Sequence, residues 1–430
     1  MLPALVLVAI ATTAAAPAHA HAAWTPSATI TTRGAVQFDL AMGADGSAAL
    51  AWVDGGVRVS VKRPGRAWSA ARRLSDGRSL VTGPTLAVDG HGDVLAAWVQ
   101  SSPPGPHRAT IVGPLTIRAA IRHGSTWGAS RQVGVTSHFF TAAPDLAANA
   151  RGDAVLVWRG LQPGRGGRRV EAIQSALRSP GAGFGGAQTA SRPGPRRGLS
   201  GQVVALDARG TAHVAWTDDS GPVVRLATRP RGAQGRWGTP RTLGASPASN
   251  PAIAVTSDGT AIVAWHAAGV DSEGNGLQSG ALDTAALSAS GTLAPVQQIS
   301  AAHTRTYRLA TGPAGVALLT FVADGGAGGL QTATRPAGGP FAAPLGLPQI
   351  TPDAFAGGAA YLGDGTALGA WGQNGRVRVF DAAAGGTFGT TAQLDRAGLY
   401  PRIATSGHRA VLAWNLTSGN RVSILAATRR

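Results

Sequence analysis

Leu86-Ala87-Val88-Asp89-Gly90-His91-Gly92-Asp93-Val94-Leu95-Ala96-Ala97-Trp98 decides the fold. An apolar run, a polar turn with two glycines and a second apolar run closed by tryptophan spell a β-hairpin. The period of two gives each face alternate side chains, and glycine takes the positive φ that a tight turn demands. Outward from this stretch the same pattern recurs. Its closing aromatic is Trp52, Trp98, Trp158, Trp216, Trp265, Phe321, Trp371 and Trp414, eight copies in all. Six positions before it stands Gly46, Gly92, Gly152, Gly210, Gly259, Gly315 or Gly365, and only the last copy breaks step, with Gly407 one place early. Fourteen positions before it stands Phe38, Pro84, Pro144, Gln202, Pro251, Tyr307 or Gly357, with Pro401 thirteen before in the last copy. Proline suits the first residue of a strand, where no ladder donor is lost, and a buried indole fills the gap between neighbouring sheets.

After each marker aromatic a third alternating strand follows, as in Val57-Arg58-Val59-Ser60-Val61 and Val223-Val224-Arg225-Leu226-Ala227. A fourth is expected to open at Trp68, Trp127, Phe184, Trp237, Phe341 or Phe388, with the fifth unit looser around Leu293. Four antiparallel strands per unit make a propeller blade. The chain ends complement each other: the last unit stops at Arg430 after a third strand, Arg421 to Ala427, and Trp24 to Ile30 matches the opening of a fourth. The expected fold is all-β, a single closed β-propeller over residues 24–430 with eight four-stranded blades, residues 24–30 supplying the outer strand of the last blade and removing an open edge. The alternatives are a solenoid of stacked hairpins, which the complementary ends disfavour, and a seven-bladed ring with one decorated unit.

Composition agrees. Hydrophobic residues form 44% and charged residues 14% of the 430, enough apolar material for a large core and too little charge for a disordered chain. Residues 1–23, with the apolar run Leu2 to Ile10 and small-x-small cleavage sites at Ala16-Pro17-Ala18 and Ala18-His19-Ala20, read as a secretory signal peptide, although no Lys or Arg follows Met1. No later run is long and apolar enough for a membrane helix, and no Cys is present to carry a lipid or form a disulfide. A secreted, extracellular monomer without a membrane span is expected. The net charge of +17 includes one lysine, Lys62, among 38 basic residues. Arginine binds phosphate and sulfate well, yet these arginines are scattered, apart from Arg165 to Arg169 and Arg192 to Arg197, and no basic stretch is interleaved with aromatics. Nucleic acid is therefore a disfavoured partner.

The strand-Gly-strand-Ala-Trp units resemble those of bacterial secreted β-propellers related in shape to the sialidase and WD-repeat classes. A sialidase resemblance would imply glycoside hydrolysis by an arginine cluster, a Tyr-Glu nucleophile pair and an acidic Asp. The diagnostic turn of that family, Ser-x-Asp-x-Gly-x-Thr-Trp, has Asp five places before Trp. Here Asp45, Asp258 and Asp364 lie seven before the marker, and Asp89 and Asp207 nine before. Only two glutamates exist, Glu171 and Glu273, neither placed for a central nucleophile pair.

Candidate binding residues come from the inner strands, thirteen positions before the marker: Asp39, Thr85, Asp145, Val203, Ala252, Arg308 and Gly358, with Arg402 in the corresponding place of the last unit. Asp39, Asp145, Arg308 and Arg402 would form a charged ring at one mouth of the channel, with Tyr307 and Tyr400 beside it, suited to an anionic or carbohydrate group. The competing reading is that these charges satisfy one another around water. His138-Phe139-Phe140 could be a partner patch, and Asp271-Ser272-Glu273-Gly274-Asn275 offers oxygen ligands without the spacing of a calcium loop. No metal-ligand spacing, nucleophile elbow or cofactor motif is found. The leading expectation is a non-catalytic binding propeller whose partner is a glycan, a cell-envelope polymer or a protein. The runner-up is a diverged sialidase-like glycoside hydrolase or lyase.

Overall fold

The computed structural model describes residues 24–32, 37–102, 115–136, 143–163, 169–191, 199–218, 223–232, 236–244, 247–267, 280–324, 329–347, 355–384, 388, 392–419 and 421–429. Among these the structure is all-β, with a single short 3-10 turn at Pro313–Gly315. The first unit shows the plan: strand a, Phe38–Met42, pairs antiparallel with b, Ala48–Val53, which pairs with c, Val57–Lys62, which pairs with d, Arg72–Arg73. This is a propeller-type fold, seven antiparallel sheets built on that up-and-down order.

Units 1, 2, 3, 4 and 7 each own a sheet, and units 5 and 6 share one of seven strands. They share it because Gln297–Thr311 runs unbroken as the outer strand of unit 5 and the inner strand of unit 6. Its middle, Ala301 to Thr306, contains neither Gly nor Pro to stop a strand. The eighth unit has its a, b and c strands at Leu399–Ser406, Arg409–Ser418 and Arg421–Arg429, and its outer strand is Ala28–Thr31. Ala28 lies opposite Ala426 and Thr29 opposite Leu425, and Thr25 donates its N–H to Thr428 O at 2.8 Å.

The outer strands start later than the aromatics that announce them. Trp68 makes only an isolated bridge to Lys62, and paired strand begins at Arg72. Phe341 likewise precedes the strand Leu345–Gly346. These rings pack inward against their sheets before the chain takes up the edge, where one neighbour supports only a short ladder.

What joins one sheet to the next is the marker aromatic. All eight are at most 2% exposed. Trp98 packs on Ala49, Ala51, Val57, Val59 and Val61 of unit 1, and Trp158 on Leu95, Ala97, Val99, Leu115 and Ile117 of unit 2. Trp414 packs on Ala370, Val377 and Val379 of unit 7, and Trp52 on Val411, Ala413, Ile424 and Ala426 of unit 8. Each indole thus occupies the space facing the preceding unit, and the first unit finds that partner in the last. Inner strands repeat the order: each packs against the next, and Leu399–Ser406 packs against Phe38–Met42.

The a–b turns are held by their own carboxylates and amides, as the turn composition anticipates. Asp89 Oδ1 accepts the N–H groups of His91 and Asp93, and Asn149 Oδ1 those of Arg151 and Asp153. On this side of the molecule Arg178, at the end of strand c of unit 3, reaches into unit 2. Its side chain is fully buried and lies 2.7 Å from Asp89 and 2.6 Å from Asp93, while its Nε donates to Ala182 O.

Candidate functional site

The innermost strand of a blade has a strand neighbour on one side only, so its other N–H groups need partners. Two of the candidate residues supply them. Asp39 Oδ2 accepts the N–H of Leu86 at 2.8 Å and faces the Thr85 hydroxyl at 3.4 Å. Asp145 Oδ2 accepts the N–H of Val204 at 2.7 Å. Leu86 and Val204 hold equivalent places, twelve before Trp98 and Trp216, so one aspartate position serves as a clasp from each of these blades to the next. Burial pushes both carboxyls up, Asp145 to about 6, against the hydrogen bonds that lower it. The Asp39 charge raises Asp145 further and the Arg402 charge lowers it, so the three groups lie within electrostatic reach across the inner strands.

Arg402, half exposed, reaches from unit 8 to unit 1: its Nη1 is 3.7 Å from Asp39 Oδ1, and its guanidinium lies 6.0 Å from the centroid of the Phe38 ring. Arg308 differs. Its Nη1 donates to Tyr307 O at 2.7 Å and its Nε to Gly357 O at 3.4 Å, and among the described residues no carboxylate pairs with it. The side chain is open to solvent yet walled by inner strands, and this desolvation, with the Arg402 charge nearby, lowers its pKa to about 10. Two like charges are therefore held close, with one of them unneutralised.

The two tyrosines separate. Tyr307 does not join the mouth: its ring is 6% exposed, stacks edge-on against His266 at 4.9 Å, and its hydroxyl donates toward Asn250 O and Ala264 O of unit 5. Adjacent strand residues point to opposite faces, so neighbouring Arg308 in sequence does not bring Tyr307 beside it in space. Burial also pushes the Tyr307 hydroxyl well above its ordinary pKa, so it stays neutral. Tyr400 does stand at the strand opening, 58% exposed. It has φ +53°, in a bulge where units 2, 4 and 5 carry Gly83, Gly201 and Asn250, also at positive φ. A left-handed tyrosine is strained, and such strain persists where the surroundings impose it.

The remaining sequence candidates fall elsewhere. His138-Phe139-Phe140, Asp271 to Asn275, Arg192 to Arg197 and Arg165 to Arg168 lie outside the described residues. Glu171 pairs with Arg159 at 2.8 Å. Among the described residues no group of three or more His, Cys, Asp or Glu could hold a metal ion, and no helix is long and apolar enough to cross a membrane.

No protein-family model matches the sequence, and no curated protein is similar to it. Solved structures do share the fold. A lectin, BP39L of Burkholderia pseudomallei, superposes with TM-score 0.54 at 14% identity over 85% of this chain and 100% of that one. A polysaccharide lyase of family PL25, an ulvan lyase, superposes with TM-score 0.51 at 10% identity over 94% of this chain and 95% of that one. The same lyase bound to -[GlcA(1-4)Rha3S]- gives TM-score 0.50, also at 10% identity and the same coverage. At these identities the likeness establishes a shared architecture.

Proposed function

We propose that this chain is a glycan-binding propeller whose ligand is acidic and sits where the inner strands open, between Arg308, Arg402 and Tyr400. The observation that carries the reading is Arg308: a solvent-open guanidinium among the inner strands, beside a second arginine, with backbone carbonyls as its hydrogen-bond partners and no carboxylate pairing with it among the described residues. Planar guanidinium groups take carboxylate or sulfate oxygens in pairs, and the exposed Tyr400 ring offers an apolar face for a sugar. A lectin and a lyase bound to a uronate-containing oligosaccharide share the architecture, which supports a glycan as ligand.

The reading includes a fold of finer definition, a ring of eight blades over residues 24–430, closed by Ala28–Thr31. It is supported by the packing of Trp52 on unit 8 and by the return of the last inner strand to the first. It also takes residues 1–23 as an export leader, so that the ligand is met outside the cell as part of a free or envelope-bound polymer.

Titration with oligoglucuronate and dextran sulfate, with neutral dextran as control, tests the site. The double variant Arg308→Ala/Arg402→Ala should lose at least about tenfold in affinity, since each hydrogen-bonded charge contributes roughly 1.5–3 kcal/mol. Binding should also tighten on acidification from pH 7 to 5. Asp145 carries a negative charge above about 6 and loses it below, so its repulsion of a nearby anion weakens as the pH falls. Asp145→Asn should weaken that pH dependence. Equal affinity of the double variant and the parent for both polymers would defeat the reading.

A second reading, cleavage of the polymer, draws on one observation: Asp39 and Asp145 stand on the inner strands of units 1 and 3 within electrostatic reach of each other, and burial raises both carboxyls, Asp145 to about 6. A carboxyl whose pKa is raised toward neutrality is suited to act as a general acid. Shortening of oligoglucuronate during the titration would select this reading over simple binding.

A further inference from the structure

The repeat itself exposes one residue that its structural role does not explain. Three places before the marker aromatic, strand b carries Ala49, Leu95, Val155, Ile262, Leu318, Leu368 and Val411 in seven units, every one at most 3% exposed. In unit 4 that place belongs to His213, itself 3% exposed. Its Nδ1 lies 3.1 Å from the Thr228 hydroxyl, and its Nε2 is buried with no hydrogen-bond partner among the described residues. Leaving a buried polar atom unmet costs on the order of 1–3 kcal/mol, and seven apolar versions of the same position show that the fold does not require it.

His213 lines a cavity of about 680 Å³ in the gap between units 4 and 5, on the side of the a–b turns and away from Arg308 and Tyr400. Thr211, Thr228, Arg241 and Ser290 bring hydroxyls and a guanidinium to its walls, with Asp207 at one end. Arg241 also bridges the gap, donating to Gly291 O at 2.7 Å. The next gap, between units 5 and 6, provides an internal comparison: a cavity of about 490 Å³ lined at the equivalent place by Ile262. The repeat supplies such gaps, and one of them has a histidine in its lining where the next has an isoleucine.

We propose that the gap floored by His213 is a second binding site, for a polyhydroxylated molecule the size of one or two sugar rings. The volume fits within the range of small-molecule sites. A hydroxyl both donates and accepts, so it can meet Nε2 in whichever tautomer the Thr228 contact selects. Burial holds the imidazole at a pKa of about 4, against the opposing pull of Asp207, so it is neutral at pH 7 and keeps that adaptable pairing. The guanidinium of Arg241 and the Ser290 and Thr211 hydroxyls supply further donors around the ring.

Glucose, N-acetylglucosamine and glucuronate are the probes, read by the NMR resonances of the His213 imidazole and by calorimetry at pH 7. At least one should shift those resonances with a Kd of about 1–10 mM, a weak single-site affinity. His213→Leu, which restores the residue type of the other units, should keep or raise the thermal midpoint and lose roughly tenfold in affinity, the equivalent of one hydrogen bond. His213→Gln, which keeps a donor and an acceptor, should retain part of the binding. With the neutral sugars, glucose and N-acetylglucosamine, the Arg308→Ala/Arg402→Ala variant should show the same His213 resonance shifts as the parent, which separates this site from the one proposed at the inner-strand openings. No response to any of the three sugars, or undiminished affinity in His213→Leu, would overturn the proposal.

Discussion

Arg178→Ala is expected to destabilise the protein by about 3–5 kcal/mol, the loss typical of removing one partner from a buried ion pair. The argument runs from geometry. The guanidinium is wholly buried, lies 2.7 Å from Asp89 and 2.6 Å from Asp93, and donates to the carbonyls of Gly152 and Ala182. Truncation leaves the Asp89 carboxylate, itself fully buried, without its counter-charge, and removes the strap between units 2 and 3. His123, 2.8 Å from Asp93, can compensate only when protonated. The triple change Arg178→Met/Asp89→Asn/Asp93→Ala should recover much of the loss, because it removes the whole buried ionic group while Asn keeps the acceptor of the turn, as Asn149 does in unit 3. Chemical denaturation of the three proteins at pH 7 checks both statements. A single-variant loss under about 1 kcal/mol would mean that the strap carries little of the blade-to-blade cohesion.

The second large effect concerns the marker aromatics. Trp52→Ala and Trp98→Ala should each cost about 3–5 kcal/mol, the range for emptying a packed aromatic site. Their equality matters more than their size. Trp98 lies between two units that are consecutive in sequence, and Trp52 between the first unit and the last. In an open array Trp52 would face solvent on a terminal module and its removal would be cheap. In a closed array the two positions are equivalent, so their denaturation midpoints should fall together. The indole of Trp52 differs in one respect that favours a slightly smaller cost: its Nε1 has no hydrogen-bond partner among the described residues, whereas Trp98 Nε1 donates to Gln100 at 3.0 Å.

Much of this architecture was legible because its signals are local. A turn glycine at fixed distance from a tryptophan needs no knowledge of other units: Gly92 has φ +78° and Trp98 is fully buried, as the quoted stretch implies. The pairing of residues 24–30 with 421–427 was legible for a different reason, since one missing strand and one orphan strand leave a single economical solution, and Ala28–Thr31 does pair there. Features that link units were not visible. Arg178 stands twenty residues after its marker, beyond a long b–c hairpin, so no register related it to Asp89. The unbroken strand Gln297–Thr311 hides the boundary between units 5 and 6, since one strand serves both.

The site was half legible. Spacing from the marker, one residue shorter in the last unit, placed Asp39, Asp145, Arg308 and Arg402 at corresponding inner-strand positions, and Arg402 lies within electrostatic reach of each of the other three. Spacing could not say which partner each side chain takes. The clasp from Asp39 to Leu86 and from Asp145 to Val204 depends on the open edge of the following blade. Strand parity was the available signal against Tyr307: it is one residue from Arg308 and therefore on the opposite face. The special backbone of Tyr400 was signalled by Gly83, Gly201 and Asn250, which occupy the same bulge in other units. His213 had the clearest unread signal, a polar residue in a column of apolar ones.

Closure of the ring is tested most directly by a disulfide. The chain has no cysteine of its own, so Thr25→Cys/Thr428→Cys introduces the only pair. The two threonine hydroxyl oxygens lie 3.1 Å apart, and the backbones are joined by an N–H···O bond of 2.8 Å. The account predicts that the double variant oxidises quantitatively within one chain, runs faster than its reduced form on a denaturing gel, and resists heat better than the parent by the few kcal/mol typical of ~2–4 for such a link. Two thiols that stay free under oxidant, or that link only between chains, would contradict it.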